Sequence, residues 1–221
     1  MFDRLTPQVW QMILNATGET LYMVFASGLL AAVFAIPLGV LLFITQPGGI
    51  KENPKFYRIL SIAVNIGRAI PFVILLFWII PFTRIIVGSS IGTTAAIVPL
   101  TVSAIPFIAR LVEGALLEIP SGLIEAARAM GASNLQIITK FLLAEALPAL
   151  INGMTITLVA LVNYSAMAGI VGGGGLGDVA IRYGYQTNVP EILTTVVIIL
   201  VALVQLIQFV GDRLVRYVDH R

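Results

Sequence analysis

Five stretches without a single charged residue, 20–50, 69–83, 85–109, 146–177 and 192–211, leave this chain little choice but a bundle of membrane helices. Most reach the roughly 20 residues that a helix needs to cross about 30 Å of hydrocarbon, where the backbone must satisfy its own hydrogen bonds. Composition agrees: 58% of the 221 residues are hydrophobic and 11% are charged, against roughly 25% charged in an average soluble domain. The expected fold class is all-α: a polytopic membrane protein with one transmembrane domain over 1–221. Five spans are expected near 20–45, 69–87, 91–110, 147–170 and 190–211. Residues 1–43 do not read as a cleavable leader, because Asp3 and Glu19 weaken a basic start and the apolar run is too long.

Arg68 leaves two readings of the second span. In the first, an interfacial helix over 54–67 leads into a span over 69–87. In the other, a single span over 59–80 carries Arg68 inside it, at a cost of roughly 2.5 kcal/mol or more. Basic residues set the expected orientation. Lys51, Lys55 and Arg58, then Arg110, Arg128 and Lys140, then Arg213, Arg216 and Arg221 all fall on one side, whereas Arg4, Arg84 and Arg182 fall on the other. By the positive-inside rule the C-terminus and the segment 118–146 lie in the cytoplasm and the N-terminus in the periplasm. The net charge of +2 then reflects topology, and no nucleic-acid partner is expected.

The segment 118–146 is a polar interruption with helical signals of its own. Ser121 is placed to cap a first helix, Leu123, Ala127 and Met130 recur at helical spacing, and Gly131 can supply a left-handed stop. Ser133 and Gln136 then form a capping-box pattern ahead of Ile137, Ile138, Phe141 and Leu142. Two short helices at a fixed angle make a knob suited to passing force from water into a membrane bundle.

Span four carries Asn152, Thr155, Thr157, Asn163, Tyr164 and Ser165, with Ala166, Ala168 and Gly169 at its far end. Such residues either pack helices closely or line a path. Met167 is either a core residue or an adaptable plug for a narrow apolar passage. The run 172–177, GGGGLG, contains G-x-G-x-x-G but follows an apolar helix instead of a strand, so it reads as a helix break at the outer face, followed by a loop. Catalysis finds no support: His220 is the single histidine, the chain has no cysteine and no P-loop, and the spans lack Asp and Glu. A transporter built this way has no intramembrane carboxylate to carry proton coupling, and must take energy from a partner.

Glu125, Ala126 and Ala127, followed after three residues by Gly131 and further on by Leu143 and Leu147-Pro148, resemble the EAA loop of permease subunits in bacterial ATP-binding-cassette importers. Ala144 departs from a proline common in that family. The segment from Arg68, RAIPFVILLFWIIPFTRIIVGSSIG, and that from Asn163, NYSAMAGIVGGGGLG, are similar to the methionine-importing branch. The resemblance implies a type I importer permease fold and ATP-driven uptake of methionine across the inner membrane. It further implies a homodimer embedded in lipid, with two ATPase subunits and a substrate-binding lipoprotein. ATP is bound by the ATPase partner and no cofactor by this chain. Glu125, Ala126, Ala127, Arg128, Met130 and Gly131 would couple to the ATPase, the alanines fitting a shallow groove; Met167, with Asn163, Tyr164 and Ser165, would lie at the path and gate. An importer of another small solute, a passive channel and a membrane scaffold remain the other readings of the residues themselves.

Overall fold

A computed structural model describes residues 6–219; Asp3, Arg4, His220 and Arg221, which enter the sequence reading, lie outside the described residues. Helix α1, Pro7–Thr45, starts where the Thr6 hydroxyl accepts from Val9 N–H (3.4 Å) and stops at Gln46, ahead of Pro47. At helical rise it is about 58 Å long, so the apolar stretch beginning near 20 is only its later part. Helix α2, Pro54–Ala69, is capped by the Asn53 side chain. It ends because Pro71 lacks an N–H and holds Ile70 in extended backbone. Short helices α3, Phe72–Trp78, and α4, Ile80–Val87, follow, and the chain axis turns 98° between α2 and α3. A continuous helix over 59–80 is therefore not formed.

Helix α5, Thr93–Leu117, runs well past the expected end near 110, and places Arg110 and Glu113 inside it instead of in a loop. Next come α6, Ser121–Ala129, and α7, Asn134–Gln136, which widens into a π-helical stretch over Ile137–Leu142 before α8, Leu143–Glu145. Helix α9, Leu147–Ala168, continues through a π-helical turn at Gly169–Gly173 into α10, Gly175–Val179, and a second such turn at Ala180–Tyr185. These short elements replace the loop expected beyond the glycines. Helix α11, Pro190–Val218, closes the bundle. Among the described residues α1, α5, α9 with its extension to Gly173, and α11 are each long and apolar enough to cross a membrane; a fifth crossing is made only if the bent pair α2 and α3 counts as one.

The bundle is centred on α1 against α5. Gly28, Ala31, Ala35 and Gly39 recur every three or four residues and form a stripe of small buried residues on α1, the kind of surface that lets membrane helices approach closely. On the opposite side Leu29, Val33 and Phe34 are exposed, as lipid contact requires. Contact is tightest at Gly39, where an added Cβ would lie 2.5 Å from Val112 Cβ and 2.6 Å from the Ala109 carbonyl oxygen. Gly18, on the same helix, has open space around it. Gly39→Ala should therefore destabilise the bundle by about 1–3 kcal/mol through overpacking, while Gly18→Ala should be neutral or stabilise by up to about 1 kcal/mol. Thermal unfolding of the two variants in detergent measures the difference; equal midpoints would refute the close approach.

Candidate coupling surface and membrane cavity

The knob is built by local rules. Pro120, in extended backbone, is the residue flanking α6, so Ser121 is already inside the helix and its hydroxyl makes no cap bond, contrary to the role expected for it. The other end matches expectation. Gly131 has φ +79°, its N–H donates to the Arg128 carbonyl (2.9 Å), and Ala132 N–H donates to the Ala127 carbonyl (3.0 Å). This pair of bonds is a Schellman motif, which satisfies carbonyls that a helix end leaves orphaned. Two residues on, Ser133 and Gln136 form the reciprocal capping box, with Gln136 Oε1 accepting from Ser133 N–H at 2.8 Å. With only Ala132 between two such caps, the angle between α6 and the following helical segment is fixed by local hydrogen bonds, main-chain at Gly131 and side-chain to main-chain at Ser133.

The six residues assigned to coupling divide by burial. Glu125, Ala126, Arg128 and Gly131 are exposed, and Met130 is 71% exposed, off the buried face on which helical spacing put it. Ala127 is fully buried, in one apolar cluster with Ile137 and Leu142. It joins the knob to the bundle and cannot enter a groove on a partner, so of the two alanines only Ala126 is presented. Beside them lies a recess of about 270 Å³ lined by Gln46, Gly48, Ile50, Ser121, Glu125 and Arg128. The turn after α1 supplies Gln46, Gly48, Gly49 and Ile50 to that wall, which no local signal in 118–146 could have shown.

Sequence reasoning also missed a polar cluster joining α2 to α5. Arg110 is ion-paired with Glu113 and donates to the Ser61 hydroxyl, to the Ser61 carbonyl (3.0 Å) and to Asn65 Oδ1 (3.0 Å). Tyr57 donates its hydroxyl proton to Glu113 Oε1 (3.0 Å). Glu113 is only 3% exposed, so the long helices do contain a carboxylate, with its charge met by Arg110. The available signal was the i, i+3 spacing of Arg110 and Glu113.

On α9 the four residues assigned to the pathway do not share a face. Asn163 and Met167, one turn apart, are exposed together. Ser165 is buried and donates to the Val162 carbonyl (2.8 Å), so it packs the bundle instead of lining a path. Tyr164 stacks on Phe72, with ring centroids 4.7 Å apart and planes 10° from parallel, beside a cavity of about 280 Å³. Beyond them Val171 and Gly172 leave helical geometry. The start of α10 is tied to α1, with Glu19 Oε2 accepting from Gly175 N–H (2.7 Å) and Thr20 Oγ1 from Leu176 N–H (2.9 Å). Among the described residues no group of three or more His, Cys, Asp or Glu could hold a metal ion.

Comparison with known proteins places this geometry. Residues 35–221 match the family described as binding-protein-dependent transport system inner membrane component. A probable D-methionine transport system permease of Vibrio cholerae is 59% identical over 210 residues, 95% of this chain and 93% of that protein. The D-methionine transport system permease of Escherichia coli K12 is 58% identical over 215 residues, 97% of this chain and 99% of its own length. Among solved structures, a chain of the MetNI methionine ABC transporter in inward-facing conformations superposes with a TM-score of 0.96 at 57% identity, covering 97% of this chain and all of that one. An amino-acid ABC transporter solved with histidines shares the fold, with a TM-score of 0.78 at 14% identity over 95% of both chains.

Proposed function

The chain belongs to the family of inner-membrane components of binding-protein-dependent transport systems, and from that premise we propose that it is the permease subunit of an ATP-driven methionine importer. The observation that carries the reading is a doubly capped knob, exposing Glu125, Ala126 and Arg128, in a chain matched almost end to end by methionine permeases. Two copies of the chain form the pathway, two ATPase subunits dock on the knobs, and a substrate-binding lipoprotein delivers methionine. The permease binds no nucleotide and catalyses no reaction of its own. The segment 118–146 and the C-terminus face the cytoplasm and the N-terminus the periplasm, with the crossings made by α1, the bent pair α2 and α3, α5, α9 with its extension to Gly173, and α11.

The mechanism follows from rigidity at one end and a break at the other. ATP-driven closure of the two ATPases moves each knob. Because the caps at Gly131 and Ser133 fix the knob's internal angle, and Ala127, Ile137 and Leu142 join it to the core, the displacement passes to α5 and α9 as a body movement. The exposed face of Asn163 and Met167 meets its counterpart on the second copy, where the unbranched Met167 side chains close the path and move aside when the copies separate.

Expression in methionine-uptake-deficient cells, with and without the ATPase and binding protein, tests the reading by labelled methionine accumulation. Accumulation should require all three proteins and ATP. Equilibration without ATP would indicate a facilitator, and ATP-dependent uptake of another solute but not methionine would move the assignment to a different importer.

A further inference from the structure

Beside the break between α2 and α3, the cavity of about 280 Å³ is walled by Arg68, Phe72, Ser103, Phe107, Ala160 and Tyr164. We propose that it is a subsite for the transported amino acid itself, with the Arg68 guanidinium taking the α-carboxylate and the Phe72 and Tyr164 rings taking the thioether chain. The inference rests on the methionine-importer reading and adds a binding site within the permease.

Four observations point to this occupant. Arg68 stands in the last turn of α2, and among the described residues its guanidinium has neither ion pair nor hydrogen bond, whereas both terminal nitrogens of Arg110 on α5 are bonded to Glu113, Ser61 and Asn65. Arg68 is exposed in the single chain, so its guanidinium is open to an arriving anion, and a planar fork of N–H donors matches a carboxylate in two-point contact. Part of the wall is aromatic, with Tyr164 stacked on Phe72, and sulfur packs favourably against aromatic rings. Ser103 spends its own proton on the Leu100 carbonyl (2.8 Å), so its oxygen is left as an acceptor for an α-ammonium. The volume lies near the lower limit of small-molecule sites, roughly 300 Å³, which suits one amino acid. A larger recess of about 420 Å³, between the start of α1 and α10, lacks this chemistry: no basic side chain lines it, Glu19 is held by Gly175 N–H, and Asp178 is ion-paired with Arg182 (2.6 Å).

Because the chain contains no cysteine, Ala160→Cys places this chain's single thiol on the cavity wall. The test follows its alkylation by N-ethylmaleimide in nucleotide-free vesicles holding the permease with its ATPase subunits, alone and with millimolar L-methionine or methioninol, which lacks the carboxylate. Methionine should slow alkylation, methioninol should protect about tenfold less well, and adding Arg68→Ala should abolish the protection. Equal protection by the two compounds, or protection that survives Arg68→Ala, would overturn the carboxylate assignment. Alkylation that ignores methionine but follows the anionic-lipid content of the vesicles would overturn the subsite by giving Arg68 to lipid phosphate. Absence of protection while the wild-type system accumulates methionine would overturn the subsite alone, whereas failure of wild-type accumulation would overturn the importer reading.

Discussion

Gly131→Val should reduce ATP-dependent methionine uptake to background while the permease still inserts into the membrane. Gly131 has φ +79° and no neighbour within 4 Å of where a Cβ would stand, so the effect arises in the backbone and not from a clash within the chain. A left-handed conformation costs an ordinary L-residue roughly 1–2 kcal/mol, and a β-branched one more. Relieving that strain breaks the bonds from Gly131 to Arg128 and from Ala132 to Ala127, and the nine-residue α6 is too short to hold its end without them. The knob would then bend internally when the ATPases close, and the movement would not reach α5 and α9. Gly131→Asn separates this from loss of a docking contact, because asparagine tolerates the left-handed region. Asn should retain a large share of the uptake, with Ala between Asn and Val. If Asn and Val abolish uptake equally, the residue acts through the partner surface and not through the bend.

The order of that series rests on features already legible in the sequence, and the reason is their range. A left-handed glycine and a capping box are each decided within a few residues, so Gly131, Ser133 and Gln136 could be placed before any packing was known, whereas the expected span over 69–87 ran through the stop that Pro71 imposes at Ile70. Ser121 failed at the same range, because Pro120 competes for the flanking position and holds it in extended backbone. Facing was much less legible. The 3.6-residue period relates Asn163 to Met167, but it does not say whether that face or the one bearing Ser165 meets the bundle; that depends on what packs against α9. Ala127 went wrong in the same way: read as a contact for a partner, it is buried against residues of its own chain. The cavity at Arg68 draws its walls from α2, α3, α5 and α9, so no single segment carries its signature.

The polar cluster between α2 and α5 extends this argument to stability, and it supports the second large prediction. Glu113→Leu should destabilise the permease by about 3–5 kcal/mol, the usual result when one member of a buried ion pair is removed. Arg110, with a side chain 18% exposed, would keep only the neutral acceptors Ser61 and Asn65. The double variant Arg110→Met with Glu113→Leu should recover much of that loss, since a buried pair replaced by apolar side chains of similar size is often close to neutral. Tyr57→Phe, which removes one hydrogen bond to a charged group, should cost about 1.5–3 kcal/mol. Thermal unfolding of the assembled complex in detergent gives all three values. A double variant no more stable than Glu113→Leu would show that the charges contribute net stability, and would remove the desolvation account. The cluster is also the polar tie that seats α2 on α5, upstream of the 98° turn into α3. Loosening it should let Arg68 and Phe72 shift relative to Ser103, so methionine protection in the Ala160→Cys assay should weaken in Glu113→Leu even below its unfolding temperature. Unchanged protection there would confine the cluster to holding the fold.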